Sequence, residues 1–495
     1  MGTMIDRRRF LKGMGLSVTS VCLAGCTRDA LSADKRRKAP NLLFVFPDQM
    51  RGSAMGFLGE EPVLTPNLDR FSRESLVLPQ TVSTYPVCSP FRAMLMTGKY
   101  PHANKVTNNC LSLTTPYNCQ LQESDTCWSD VLKANEYSLG YIGKWHLDSP
   151  VEPYVDCANN RNLPAWNEWC PPHRRHGFDF WHAYGTYDHH MRPMYWDTDA
   201  KRDGFKYFDQ WGPEHEADLA IKYLANENGV YRDPDKPFAM VVSMNPPHTP
   251  YSQVPKHYVE RYKDVSLDEL CQRPNIPDSD TKMGTQYRRD IRNYYGMISG
   301  VDEQFGRILE ALKMQGLEED TIVVFTSDHG NCLGIHHKIT KNNRYEESMR
   351  IPFIIRWPGK IKPRQDDLLF SSLDMCPTML GLMGLEHAIG KDVDGKSYAR
   401  EFLGHKSKRP EWQWYMWVPK GKPAWGRRGI RNQAYTFVVS KIPDKPTEYY
   451  LHDNKNDPYQ LRNIAEERPD LVKQLMFELE KTILPYNDPW LETEV

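Results

Sequence analysis

The chain has 495 residues, with 63 basic against 64 acidic side chains and a net charge of −1. That length supports two domains around a large core, and the charge balance excludes the global polybasic surface of a nucleic-acid binder.

In chain order, residues 1–26 read as an export address rather than as structure. Asp6-Arg7-Arg8-Arg9-Phe10-Leu11-Lys12 resembles a twin-arginine signal, and the apolar run at 14–24 is too short to span a bilayer. Leu23-Ala24-Gly25-Cys26 resembles a lipobox, in which Cys26 would be lipidated and become the mature N-terminus; the alternative is plain signal-peptidase cleavage with Cys26 discarded. Either route predicts the bacterial cell envelope, periplasmic or outer surface, with the membrane touched only through a lipid on Cys26. Residues 27–40 are a linker, and Lys35-Arg36-Arg37-Lys38 within it is a solvated tether.

The run 41–46 (N-L-L-F-V-F) is short and continuously apolar, as expected of a strand buried on both faces of a parallel sheet, and it ends in Pro47-Asp48-Gln49. A helix is predicted from Thr65, as cap, with Pro66 at its first position. A second strand at 137–142 leads to Gly143-Lys144-Trp145-His146, and a third at 238–243 leads to Asn245-Pro246-Pro247-His248. Between them, 148–212 is rich in Pro, Trp, Asn and His and reads as an elaborate loop facing the substrate. An amphipathic helix is expected over 287–315, a fourth strand at 321–326 ending in Asp328-His329-Gly330, and a fifth at 351–356. Strands alternating with helices predict an α/β fold: a doubly wound, mostly parallel sheet flanked by helices, whose site lies beyond the strands' carboxyl ends. Residues 41–384 are assigned to this domain. Residues 385–495 are predicted to form a smaller α+β subdomain, with antiparallel strands at 412–417, 434–440 and 448–451 and a closing helix at 469–483.

The chain is organised around 85–102, Y-P-V-C-S-P-F-R-A-M-L-M-T-G-K-Y-P-H. Pro90 suits the first turn of a helix. Cys88 then sits at the N-terminus, where N–H groups and the dipole favour a thiolate. C-x-P-x-R with T-G five residues after the Arg resembles the signature of the type I sulfatases, members of the alkaline-phosphatase-like superfamily. Phe91 stands where that family has a small residue between Pro and Arg. The resemblance implies that Cys88 is oxidised by a formylglycine-generating maturation enzyme to formylglycine, whose hydrated aldehyde is the nucleophile, with Arg92 as its partner. If export is by the twin-arginine route, this oxidation precedes translocation.

The same resemblance implies a divalent cation, Ca²⁺ or Mg²⁺, held by Asp48, Gln49, Cys88, Asp328 and His329. Gln49 replaces the acid the family carries and brings no charge. Lys144 and His146 are implied to hold the formylglycine hydrate, His146 as the base for its second hydroxyl. His248 and Lys341 are implied to bind the sulfate, either of them protonating the leaving alcohol; His336 is an accessory contact and Lys338 a bystander. Leu373-Asp374-Met375-Cys376-Pro377-Thr378, Val393-Asp394-Gly395-Lys396-Ser397 and Tyr450-Leu451-His452-Asp453 extend the resemblance toward Pro458.

The implied activity is hydrolysis of sulfate esters on a sulfated saccharide, with no nucleic-acid partner. The 12% aromatic content suits such a substrate, though core packing explains most of it equally well, and Trp166, Trp169, Trp181, His189 and His190 either line sugar subsites or pin a long loop. Two rivals remain: a phosphonate or phosphate ester hydrolase of the same superfamily, and a non-catalytic glycan-binding envelope lipoprotein. Setting aside Cys22, Cys26 and Cys88 leaves eight cysteines, which an oxidising compartment would allow to bridge in pairings the sequence does not specify.

Overall fold

The computed structural model describes residues 39–493. The export segment, Cys26 and the basic tether lie outside the described residues.

The main sheet contains β1 (Asn41–Pro47), β2 (Leu76–Val77), β3 (Ser138–Lys144), β4 (Phe180–Tyr184), β5 (Met194–Asp197), β6 (Lys206–Tyr207), β7 (Phe238–Met244), β8 (Thr321–Thr326), β9 (Phe353–Arg356) and β10 (Arg364–Gln365). They lie in the order β10-β2-β9-β8-β1-β7-β3-β4-β5-β6. The central run β8-β1-β7-β3-β4 is parallel. Every residue of β1, β3, β7 and β8 is buried, which is why these strands read as largely apolar runs.

Alternate side chains of β1 enter different cores. Leu42, Phe44 and Phe46 pack with the Cys88–Thr97 and Ser372–Leu382 helices. Leu43 and Val45 pack with the Pro66–Arg73, Gly212–Ala225 and Lys282–Met314 helices. The period-two alternation of a strand thus places helices on both faces.

Several expectations need correction. Residues 148–212 are not merely a loop: β4 extends the parallel run, and β5 and β6 add an antiparallel edge. The fifth predicted strand, β9, runs antiparallel to β8. Thr65 stands at the cap position before Pro66 as expected, but its side chain makes no capping bond: its Oγ1 accepts from Gly56 N and donates to Asp69. The expected C-terminal strands are present as β11 (Gln413–Trp417), β13 (Tyr435–Lys441) and β14 (Glu448–Asp453). Between the first two lies β12 (Gly426–Arg431), whose three arginines masked it, and the order is β11-β12-β13-β14. One face of this sheet packs on the Pro469–Ile483 helix through Met416, Ile430, Phe437, Leu475 and Leu479.

The Val393–Ser397 motif folds back on the signature: the N–H groups of Asp394 and Gly395 both donate to Gly98 O, and Asp394 accepts from Tyr100 N. All nine cysteines among the described residues carry free thiols, so the structure contains none of the bridges that an oxidising compartment permits. No helix among the described residues is long and apolar enough to cross a membrane.

Candidate active site

Because β1, β3, β7 and β8 are parallel, their carboxyl ends deliver Asp48 and Gln49, Lys144 and His146, His248, and Asp328 and His329 to one edge of the sheet. Cys88 begins the Cys88–Thr97 helix on the same edge and is 1% exposed. Phe91 turns away into the core against Phe46, so the bulk at that position does not enter the site.

Around the Cys88 Sγ stand Lys341 Nζ at 3.0 Å, His329 Nε2 at 3.3 Å, Asp48 Oδ1 at 3.7 Å and Lys144 Nζ at 4.0 Å. Burial and the Asp48 carboxylate push the thiol up, but Lys144, Lys341 and His329 outweigh them and hold it well below the ordinary cysteine range. Arg92 donates to Lys144 O at 2.6 Å and Ser243 Oγ at 2.8 Å, and spans the two carboxylates, 3.2 Å from Asp48 Oδ2 and 3.2 Å from Asp328 Oδ2. Lys144 pairs with Asp48 at 2.7 Å and donates to Asn245 Oδ1 at 3.0 Å.

His146 is buried beside Cys88, and neither of its ring nitrogens has a hydrogen-bond partner. Burial holds this imidazole below the ordinary histidine range, which keeps it neutral and able to accept a proton. His248 stands 3.2 Å from Asp188 Oδ1 through Nδ1. Gln49 is also at the site: its Oε1 accepts from Lys341 at 3.3 Å and its amide donates to Tyr251.

The ligand atoms of Asp48, Cys88, Asp328 and His329 all lie within 4.8 Å of one another. Burial and the neighbouring Asp48 charge push the Asp328 carboxyl up to about 7. Two buried carboxylates, an imidazole and the Cys88 side chain make a donor set that fits a divalent cation, which would relieve that repulsion.

All ten predicted site residues therefore meet at one place. Other expectations are only partly realised. His336 is turned aside, stacked on Tyr345 with ring centroids 3.7 Å apart and hydrogen-bonded to Glu347, and Lys338 is exposed. Trp181 belongs to the core with Tyr141 and Trp145, whereas Trp166 lies 6.3 Å from the His146 ring and His190 Nε2 reaches His248 O at 2.9 Å. Two residues were not foreseen. Asn245 opens the N-P-P-H run, where an amide at a strand end was a usable clue; it bridges Lys144 and Asp188. Asp188 sits in a segment with no periodicity and gave none. A cleft of about 630 Å³ lined by Tyr100, Asp374, Trp412 and Trp414 lies elsewhere and contains none of these groups. Cys127, Asp130 and His176 also cluster, as a helix cap in which Asp130 accepts from Cys127 N and pairs with His176.

Residues 40–385 match the family model described as sulfatase, and residues 334–485 match the C-terminal model of N-sulphoglucosamine sulphohydrolase. An endo-4-O-sulfatase of Bacteroides thetaiotaomicron is 38% identical over 97% of this chain and 98% of its own length. An ulvan-active sulfatase of Formosa agariphila is 30% identical over 90% of this chain and 81% of its own. Among solved structures, one from B. thetaiotaomicron described under the metabolism of multiple glycosaminoglycans superposes with a TM-score of 0.85 at 38% identity, covering 92% of this chain and 98% of that one.

Proposed function

This chain belongs to the sulfatase family of the alkaline-phosphatase-like superfamily and is a sulfuric ester hydrolase, and from that premise we propose that it removes sulfate from a sulfated carbohydrate through a formylglycine made from Cys88. The names of its relatives, one acting on 4-O-sulfate and one on ulvan, support the substrate class. The C-x-P-x-R run supports maturation by a formylglycine-generating enzyme. The N-terminal sequence supports export to the cell envelope with a lipid on Cys26.

The Sγ of Cys88 marks where the hydrated aldehyde's oxygens would stand. Such a hydrate offers one hydroxyl to attack sulfur and a second whose proton must leave before sulfate is released. A divalent cation on Asp48, Asp328 and His329, with Gln49 and position 88 beside it, would supply positive charge at those oxygens. Arg92 ties the two carboxylates together and fixes the Lys144 backbone. Lys144 and Lys341, at 4.0 and 3.0 Å from Sγ, hold the sulfate oxygens and offset their growing charge. His248, oriented by Asp188, or Lys341 gives a proton to the departing alcohol. His146 takes the proton from the second hydroxyl.

The observation that carries this assignment is the buried His146, with two unpartnered nitrogens beside a thiol that two lysines and a histidine surround. The test is the mass of the Cys88 peptide from the natural host, together with parallel assays on sulfate and phosphate esters. The expected result is an aldehyde at 88, preference for sulfur, and loss of about 10³-fold or more in activity for Cys88→Ser. An unmodified thiol would favour a glycan binder, and a preference for phosphorus would favour the phosphate ester hydrolase.

A further inference from the structure

The small sheet has a second face. Its registers put Tyr415 and Trp417, Arg427 and Gly429, Val438 and Ser440, and Glu448 and Tyr450 side by side. Tyr415 and Val438 pack toward Val82 and Met349, so this face looks back at the segments carrying Cys88 and Lys341. Met416 N donates to Thr84 O and Asn342 N to Pro86 O, which ties the sheet and residues 341–345 to the signature loop.

Buried polar atoms without a hydrogen-bond partner gather here: Tyr415 Oη, Ser440 Oγ, Arg427 Nε, Arg344 Nε and Asn342 Oδ1. Tyr415 is fully buried and Ser440 is 1% exposed. Buried groups of this kind are ordinarily satisfied, so their concentration singles out this face of the sheet. Neither Arg344 nor Arg427 pairs with a carboxylate among the described residues. Arg344 lies 3.5 Å over the Tyr450 ring, and Arg427 lies 4.8 Å over Trp417. Arg344 Nη2 also donates to Tyr345 Oη at 3.0 Å, and the guanidinium N–H groups left over on the two arginines are of the kind that grips a carboxylate or sulfate. Glu448, the acid of this face, is exposed and takes the Tyr450 hydroxyl at 2.8 Å.

Arg344 is three residues from Lys341, so the two backbones are at most about 11 Å apart. We propose that this sheet face and residues 341–345 form an anion subsite beside the reaction site, taking the carboxylate or second sulfate of the sugar next to the one desulfated. The subsite rests on the sulfated-carbohydrate reading above and adds that the substrate is polyanionic.

The test compares kcat/KM of the mature enzyme on three disaccharides bearing the same scissile sulfate: one with a neutral neighbour, one with a uronate and one with a second sulfate. The wild type should prefer an acidic neighbour, and the arm preferred identifies the anion. Arg344→Gln and Arg427→Gln should each lower the acidic-to-neutral ratio about tenfold, with Arg427→Lys retaining part of it. Loss of folded enzyme lowers both rates alike, so the ratio reads the subsite itself. A wild type without preference, or ratios unmoved in the Gln variants, overturns the subsite alone. A wild type that cleaves an aryl sulfate but none of the sugars overturns the carbohydrate reading and the subsite together.

Discussion

Asp188 shows how a single carboxylate governs a neighbour that does the chemistry. Burial raises its pKa, but His248 and Lys144 nearby prevail and hold it well below the usual carboxylate range, so it stays charged. Its Oδ1 also accepts from Asn245 at 3.1 Å, and Asn245 in turn receives Lys144. On the mechanism proposed, Asp188 positions His248 and stabilises its protonated form. Asp188→Asn preserves shape and removes charge. Steady-state kinetics should show kcat down about tenfold or more with KM little changed. A purely structural role would not split kcat from KM in this way.

At the scale of elements, the strand ends depend on glycines that let backbones meet. Gly143 has φ +100°, and a Cβ there would lie 2.1 Å from Ser243 O on the adjacent β7. The next residue is Lys144, whose ammonium reaches Asp48 and whose carbonyl receives Arg92. Gly143→Ala should therefore cost about 3 kcal/mol or more in denaturant unfolding. It should also depress activity in the fraction that stays folded, because β3 must shift away from β7. Gly330 is constrained likewise, with a Cβ 2.0 Å from Glu347 O, which explains the glycine after Asp328-His329.

For the whole molecule, acid sensitivity follows from histidines buried as neutral rings. Burial lowers His190, His215 and His452 to about 4 from an ordinary value of 6.5, with His248, His182 and Arg344 adding repulsion in turn. Between those two values the unfolded chain binds protons that the folded chain refuses. Stability is thus undiminished above pH 6.5 and declines as pH falls toward 4. His190 and His452 contribute up to about 3 kcal/mol each to that decline. Urea midpoints measured across this window should fall with acidification, and His215→Gln should make the fall shallower.

The chain's own order of residues was enough to locate β1, β3, β7 and β8, since a strand covered on both faces is mostly apolar, and to list the groups at their ends; β4 of the same parallel run was hidden in a stretch that reads as loop. It was also enough to mark Cys88 as the centre, because the signature is local. The direction of β9 and the existence of β12 were not legible: strand direction depends on distant pairing, and Arg427, Arg428 and Arg431 make β12 look like surface. The roles of Asp188 and Asn245, and the polar face of the small sheet, arise only when segments far apart in the chain converge. Partnership between such groups is a matter of distance in space, which no local pattern of residues encodes.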